Sequence, residues 1–155
     1  MTTYSLPSME FMIIDSLQRS NAAVALFNAA LAAGQHRRKW AGLTRRPTAL
    51  RHLPVARGQG GHSAGRRQVA IADIRGSEGR TSDFDNRFNP LSSQFRQRWA
   101  SVANAIGEGV HQPPVDLIQV GAEYYVRDGH HRISVAAAMG QEMIDATVTE
   151  WRGDL

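Results

Sequence analysis

The chain has 155 residues, 42% of them hydrophobic: enough for one domain of ordinary size plus an appendage, and too apolar for wholesale disorder. It contains no Cys, which excludes a disulfide framework, thiolate metal ligation and a thiol nucleophile, and fits a reducing, cytoplasmic setting. The formal charge of +4 is unevenly spread, because nine Lys/Arg and no Asp or Glu fall between Gly34 and Arg67, leaving nine basic against 14 acidic residues elsewhere.

The first 34 residues read as one amphipathic helix. Ile13, Leu17, Ser20, Val24, Phe27 and Leu31 follow a 4-3-4-3-4 spacing that places them in a single stripe. Ser8 is the expected cap and Gly34 the expected stop. Such a stripe packs on the domain or on a partner, and a homodimer through this helix is compatible with it. Met9 to Ala33 is the most apolar stretch, but Asp15, Gln18, Arg19, Asn21 and Asn28 interrupt it. A membrane span needs about 20 mostly apolar residues, so no transmembrane segment is expected.

Residues 35–67 read as a basic linker. They combine an Arg/Lys-rich block with Pro47, Pro54 and a glycine-rich run from Gly58 to Gly65. His36 to Trp40 can extend the helix as a cationic end. Arg37, Arg38, Lys39, Arg45 and Arg46 are the candidate contacts for nucleic acid or another anionic surface, although such blocks are also common as solvated tails.

Residues 68–155 read as the domain proper. Gln68 to Ile74 is an expected strand, followed by a polar loop that contains Glu78, Asp83 and Asp85. Asn89-Pro90 reads as a cap and first helical residue, with Leu91, Phe95, Trp99, Val102, Ala103 and Ile106 on one face. Pro113-Pro114 resets the chain to an extended path. Val115 to Val120 and Glu123 to Arg127 form a hairpin about Gly121-Ala122. A short helix from Ile133 to Met139 ends at Gly140, and Met143 to Trp151 is a last alternating strand. The fold class is α+β, with a mixed sheet and flanking helices.

Between the second hairpin strand and the short helix lies Asp128-Gly-His-His-Arg132. A helix's first turn offers unpaired N–H groups and a partial positive charge, which suit a phosphate. Gly129 lets the backbone approach a ligand, and Arg132 adds a fork of donors matched to phosphate oxygens. His130 and His131 can donate hydrogen bonds or carry a proton near neutral pH. Asp128 can cap the helix, orient a histidine or hold a divalent cation that bridges phosphates. Two adjacent histidines are not a metal pair, and no third N or S ligand lies nearby, so zinc is disfavoured. A bland reading competes with all this, in which Asp128 is only a cap, Arg132 only its ion-pair partner and one histidine a satisfied core residue.

The stretch from Pro114 to Ala138 resembles the ParB/sulfiredoxin superfamily, bacterial ParB-like members in particular, in Pro-Val-Asp-Leu-Ile-Gln-Val, Tyr-Tyr-Val, Asp-Gly-His-His-Arg and Ile-Ser-Val-Ala-Ala-Ala. The likeness extends from about Ile71 to Trp151. It implies a small α+β fold whose box binds nucleotide phosphates. Sulfiredoxins carry a catalytic Cys where His130 stands, so their chemistry is excluded here by composition. Partition proteins of the superfamily bind CTP and DNA, using an Arg-rich box together with a downstream helix-turn-helix and a dimerisation tail, and the last residues up to Leu155 are expected to be too short to supply those DNA-reading parts. The free-serine kinases share Asp-Gly-His-His-Arg. That likeness implies ATP, ADP or CTP with Mg²⁺, held by Asp128, Gly129, His130, His131 and Arg132, with Asp128 as the metal ligand. It also implies an upstream acid as general base. Glu78, Asp83 and Asp85 are the candidates, and His131 is a further catalytic candidate. The competing expectation is a non-catalytic nucleic-acid-binding or adaptor module.

Overall fold

The computed structural model describes residues 9–54 and 61–152. The helical and strand elements are α1 (Met9–Thr44), β1 (Arg51–His52), β2 (His62–Ala70), β3 (Ile74–Ser77), α2 (Arg96–Gly107), β4 (Val115–Val120), β5 (Glu123–Asp128), α3 (His130–Ala138) and β6 (Met143–Trp151). The strands form one six-stranded sheet in the order β1-β3-β5-β4-β6-β2. Pairs β4/β5 and β2/β6 are antiparallel, whereas β1/β3, β3/β5 and β4/β6 are parallel. The expected α+β class with a mixed sheet and flanking helices is thus the observed one. No described helix is long and apolar enough to cross a membrane.

The N-terminal helix departs from expectation at both its face and its end. It runs 36 residues, about 54 Å at 1.5 Å per residue, and passes straight through Gly34. Its buried positions are Ala23, Phe27, Ala30 and Gly34, rotated from the expected stripe, with Val24 and Leu31 at the margin. Ile13 and Leu17 are 52% and 58% exposed, so the expected stripe is not buried along its whole length. Gly34 is buried because a Cβ there would stand 2.8 Å from the Pro90 carbonyl oxygen and 3.0 Å from Asn89 Cβ. A mid-helix glycine costs about 1 kcal/mol against Ala; here it permits a close crossing. The helix ends instead at Thr44, where Arg45 takes φ 54°. The expected cap, Ser8, lies outside the described residues.

The stretch expected as a basic linker holds ordered elements where it is described. Residues 35–44 are helix, β1 follows, and 62–67 belong to β2; residues 58–60 of the glycine-rich run lie outside the described residues. Several of its cations are spent on acids of the domain. Arg37 is ion-paired with Asp85 and bonds Asn86, Arg51 meets Glu123 at 3.0 Å, and Arg66 meets Asp145 at 3.2 Å. Arg67 bonds Gln119 and lies over the Tyr124 ring. The charge asymmetry of the sequence is therefore partly internal complementarity.

Two further boundaries move. The single strand expected at Gln68 to Ile74 is broken by a 3-10 turn at Ile71–Asp73, and its halves lie far apart in the sheet: β2 pairs with β6 and β3 with β5. Asn89-Pro90 does not open α2. Both Asn89 N and Nδ2 donate to the Asp85 carboxylate, at 2.9 and 3.1 Å, so a 3-10 turn at Ser93–Phe95 leads into the helix, with Ser92 accepting from Gln94 N.

One sheet face buries Val69, Ile74, Val115, Leu117, Val126 and Val148 under α3's Ile133 and the loop residues Phe84 and Phe88. The helices meet at Phe27, Trp99 and Val135. Trp99 Nε1 donates to Ser134 Oγ at 2.8 Å, and Ser134 Oγ donates to the Phe88 carbonyl at 2.5 Å. This buried relay ties α2, α3 and the 84–88 loop together and sets the start of α3.

Candidate functional site

The neighbouring parallel strands β3 and β5 end side by side at Ser77 and Asp128, and the chain leaves β5 directly into α3. Gly129 makes this possible. It sits at φ +105°, and an added Cβ would lie 2.6 Å from Val115 Cγ1 and 2.9 Å from Val115 Cβ. Its need for glycine is thus set by the packing of this turn on β4, which differs from the expected approach to a ligand. The turn also starts α3 at His130, three residues before the expected Ile133, so both histidines and Arg132 occupy its first turn.

No side chain caps that turn. Asp128, expected as a cap, is 79% exposed at its side chain and pairs with Arg132 Nη2 at 3.1 Å. Arg132 is largely engaged in holding the chain before β4: its Nη1 donates to the carbonyls of Pro113 and Pro114 at 2.5 and 2.9 Å. The fork expected to face a phosphate is therefore mainly a brace.

His130 is 6% exposed and stacks near the Phe84 ring at 6.1 Å. Its Nε2 lies 2.7 Å from Ser77 Oγ. That hydroxyl also accepts the N–H groups of Gly79 and Arg80, at 3.2 and 3.1 Å, and lies 3.4 Å from the Val126 carbonyl, a second acceptor for its proton. Burial, with the nearby Arg80 and His131, pushes the His130 pKa down to about 4 against the opposing pull of Asp128.

His131 is 7% exposed, with its ring edge-on to Phe84 and Phe95 at 5.4 and 5.5 Å. Neither ring nitrogen has a hydrogen-bond partner among the described residues. Burial is again the leading cause that depresses its pKa to about 4, followed by Arg98 and Arg80, with Asp83 opposing. An unpaired buried polar ring is costly, and most such groups are satisfied in native proteins.

Both histidines line a cleft of about 400 Å³ between α3's start, α2 and the loop after β3. Arg80, Arg98, Arg127 and Arg132 all contribute to its wall, against the single carboxylate of Asp128. Arg127 pairs with Glu78 at 3.4 Å and Arg80 with Asp83 at 3.9 Å, and Arg98 has no ion-pair partner among the described residues.

The three acids weighed as a base are placed differently. Asp85 is 1% exposed and saturated: its carboxylate accepts from Arg87 N, Asn89 N, Asn89 Nδ2 and Arg37 Nη1. It organises the 85–89 loop and anchors α1, and it does not line the cleft. Glu78 is exposed beside Arg127, and Asp83 is half-buried beside Arg80 with its charge felt at His131. Among the described residues, no group of three or more His, Cys, Asp or Glu side chains is placed to hold a metal ion.

Sequence reasoning brought Asp128, Gly129, His130, His131 and Arg132 together and missed Arg80, Arg98, Arg127 and Ser77. Arg80 stands inside the loop whose local signal is its acids, Glu78, Asp83 and Asp85. Arg127 precedes the box directly, a local signal that was open to use. Arg98 lies on the exposed face of α2, and only the packing of α2 beside α3 brings it to the cleft.

No family model matches the chain, and no curated protein matches it. Among solved structures, the chain is similar to the crystal structure of sulfiredoxin from Arabidopsis thaliana, with a TM-score of 0.42 and 21% sequence identity over 55% of this chain and 84% of that one.

Proposed function

We propose that this domain binds a phosphate-bearing ligand, a nucleotide such as ATP, ADP or CTP, in the cleft at the start of α3. The observation that carries this reading is the wall of the cleft: four guanidinium groups, Arg80, Arg98, Arg127 and Arg132, gathered at the start of α3 against one carboxylate. The uncapped N–H groups of α3 add further donors to the same space. A phosphate would meet Arg80, Arg98 and Arg127 as charge partners.

The residues present do not build a protein-held divalent-cation site. Mg²⁺ would enter on the phosphates, which it neutralises, with Asp128 as the cleft's own carboxylate. None of the three acids weighed as a base lines the cleft: Asp85 is saturated, and Glu78 and Asp83 are ion-paired with Arg127 and Arg80.

A thermal-shift panel of ATP, ADP, CTP and inorganic phosphate, with and without Mg²⁺, tests the reading. A ligand present at about a hundred times its Kd stabilises by about 2.7 kcal/mol, or roughly 5–10 °C for a chain of this size. No shift with any of them at millimolar concentration would rule the reading out.

A further inference from the structure

A second cavity of about 380 Å³ adjoins the cleft and shares Gln112, Pro113 and Arg132 with it. It lies between the α2–β4 connection, α3 and the start of β6, and its character is the opposite of the cleft's. Ile106, Val110, Val115, Ala136, Met143 and Ile144 make its walls apolar. Its ionised groups are already engaged: Asp145 pairs with Arg66 and accepts from Gln68, and Arg132 pairs with Asp128 and donates to two carbonyls. The His111 imidazole and the amides of Gln68, Gln112 and Gln141 supply the remaining side-chain polarity.

From this juxtaposition we infer that the cavity holds the uncharged nucleoside part of the ligand whose phosphates occupy the arginine-lined cleft, an inference that rests on the phosphate-site reading above. An electroneutral, largely apolar pocket excludes a second phosphate and takes a flat, uncharged body by burying its rings. Gln112 donates its Nε2 to the Val110 carbonyl, whereas the Gln141 amide offers a donor and an acceptor side by side, the pattern needed to read the edge of a base. Arg132 and Pro113 form the ridge between the two spaces, so the brace from Arg132 to the Pro113 and Pro114 carbonyls fixes the spacing between phosphate and nucleoside. Inorganic polyphosphate would fill the cleft alone.

The test is isothermal titration of the whole chain with inorganic tripolyphosphate and with ATP, CTP, GTP and UTP. The expected result is at least one nucleoside triphosphate binding roughly tenfold or more tighter than tripolyphosphate. Val110 and Met143 are 52% and 45% exposed, so Val110→Trp and Met143→Trp fill the pocket from its mouth without touching the core. Both should erase the nucleoside preference while leaving tripolyphosphate affinity within about twofold of wild type. Equal affinity of wild type for tripolyphosphate and for every nucleoside triphosphate would overturn this inference alone. So would a preference that survives in a folded Trp variant, or a parallel loss of tripolyphosphate binding. If wild type binds neither kind of probe, the phosphate-site reading falls and takes this one with it. Photolabelling of wild type with the azido form of the preferred nucleotide needs no variant. Labelled peptides should span Val110–Pro113 or Gln141–Asp145, and labelling confined elsewhere overturns the assignment.

Discussion

Replacing Gly129 by Ala probes the turn that places both histidines. Two costs follow from its geometry. At φ +105° an L-residue is held outside its favoured regions, a penalty of about 1–2 kcal/mol. The new methyl would also stand 2.6 Å from Val115 Cγ1, whose own side chain is 1% exposed and has little room to yield. Overpacking of that kind costs about 1–3 kcal/mol more, so Gly129→Ala should lose about 2–5 kcal/mol in all. Gly140 is the matched control, because it too has positive φ, +78°, but nothing within 4 Å of its added Cβ. Gly140→Ala carries the strain alone, partly offset by a stiffer unfolded chain, for a net cost near 1 kcal/mol. Urea unfolding of the three proteins reads the difference. Equal losses in the two variants would show that the contact with Val115 is not what demands glycine, and the account of how the site is built would be wrong.

Three other outcomes follow from the same structure. Asp85→Ala strands Arg37 and three N–H groups in a part-buried loop, so it should destabilise by about 3–5 kcal/mol; a variant of unchanged stability and lost function would instead restore Asp85 as a catalytic candidate. The histidines give a pH signature. Their folded pKa is about 4 against about 6.5 unfolded, so below pH 6.5 the unfolded chain binds more protons and stability falls. The loss should develop between about pH 6.5 and pH 4, on the order of 3 kcal/mol per ring, and His131→Phe should flatten the curve; an unchanged slope in that variant would contradict a neutral buried His131. Ser134→Ala removes the acceptor of Trp99 Nε1 and should cost about 1–3 kcal/mol by chemical denaturation, whereas a neutral result would mean that the Trp99–Ser134–Phe88 relay does not hold α3.

The central part of the fold was legible because its signals are local. Pro113-Pro114, the Gly121 turn and the alternation in Val115 to Val120 and Met143 to Trp151 place β4, β5 and β6 where the structure has them. The N-terminal half was less legible because tertiary contacts overrode local preference. Gly34 reads as a stop but serves as a crossing point under Pro90, and Asn89 reads as a cap but is held by a carboxylate four residues earlier. The charge run between Gly34 and Arg67 carried more information than its composition suggested. Its partners, Asp85, Glu123 and Asp145, are 48 to 79 residues away in sequence, and no local pattern links them. The box was found because its residues are contiguous. Arg80 and Arg98 were not, because their shared cleft exists only once α2, α3 and the loop after β3 are packed.

The most direct measurement is a calorimetric titration of nucleoside triphosphate into wild type and into Arg98→Ala, an exposed cation without an ion-pair partner among the described residues. The account predicts saturable binding to wild type and an affinity roughly tenfold or more weaker in the variant, with unchanged thermal stability of the free protein. Binding of equal strength in both would place the phosphates elsewhere and contradict the assignment of this cleft.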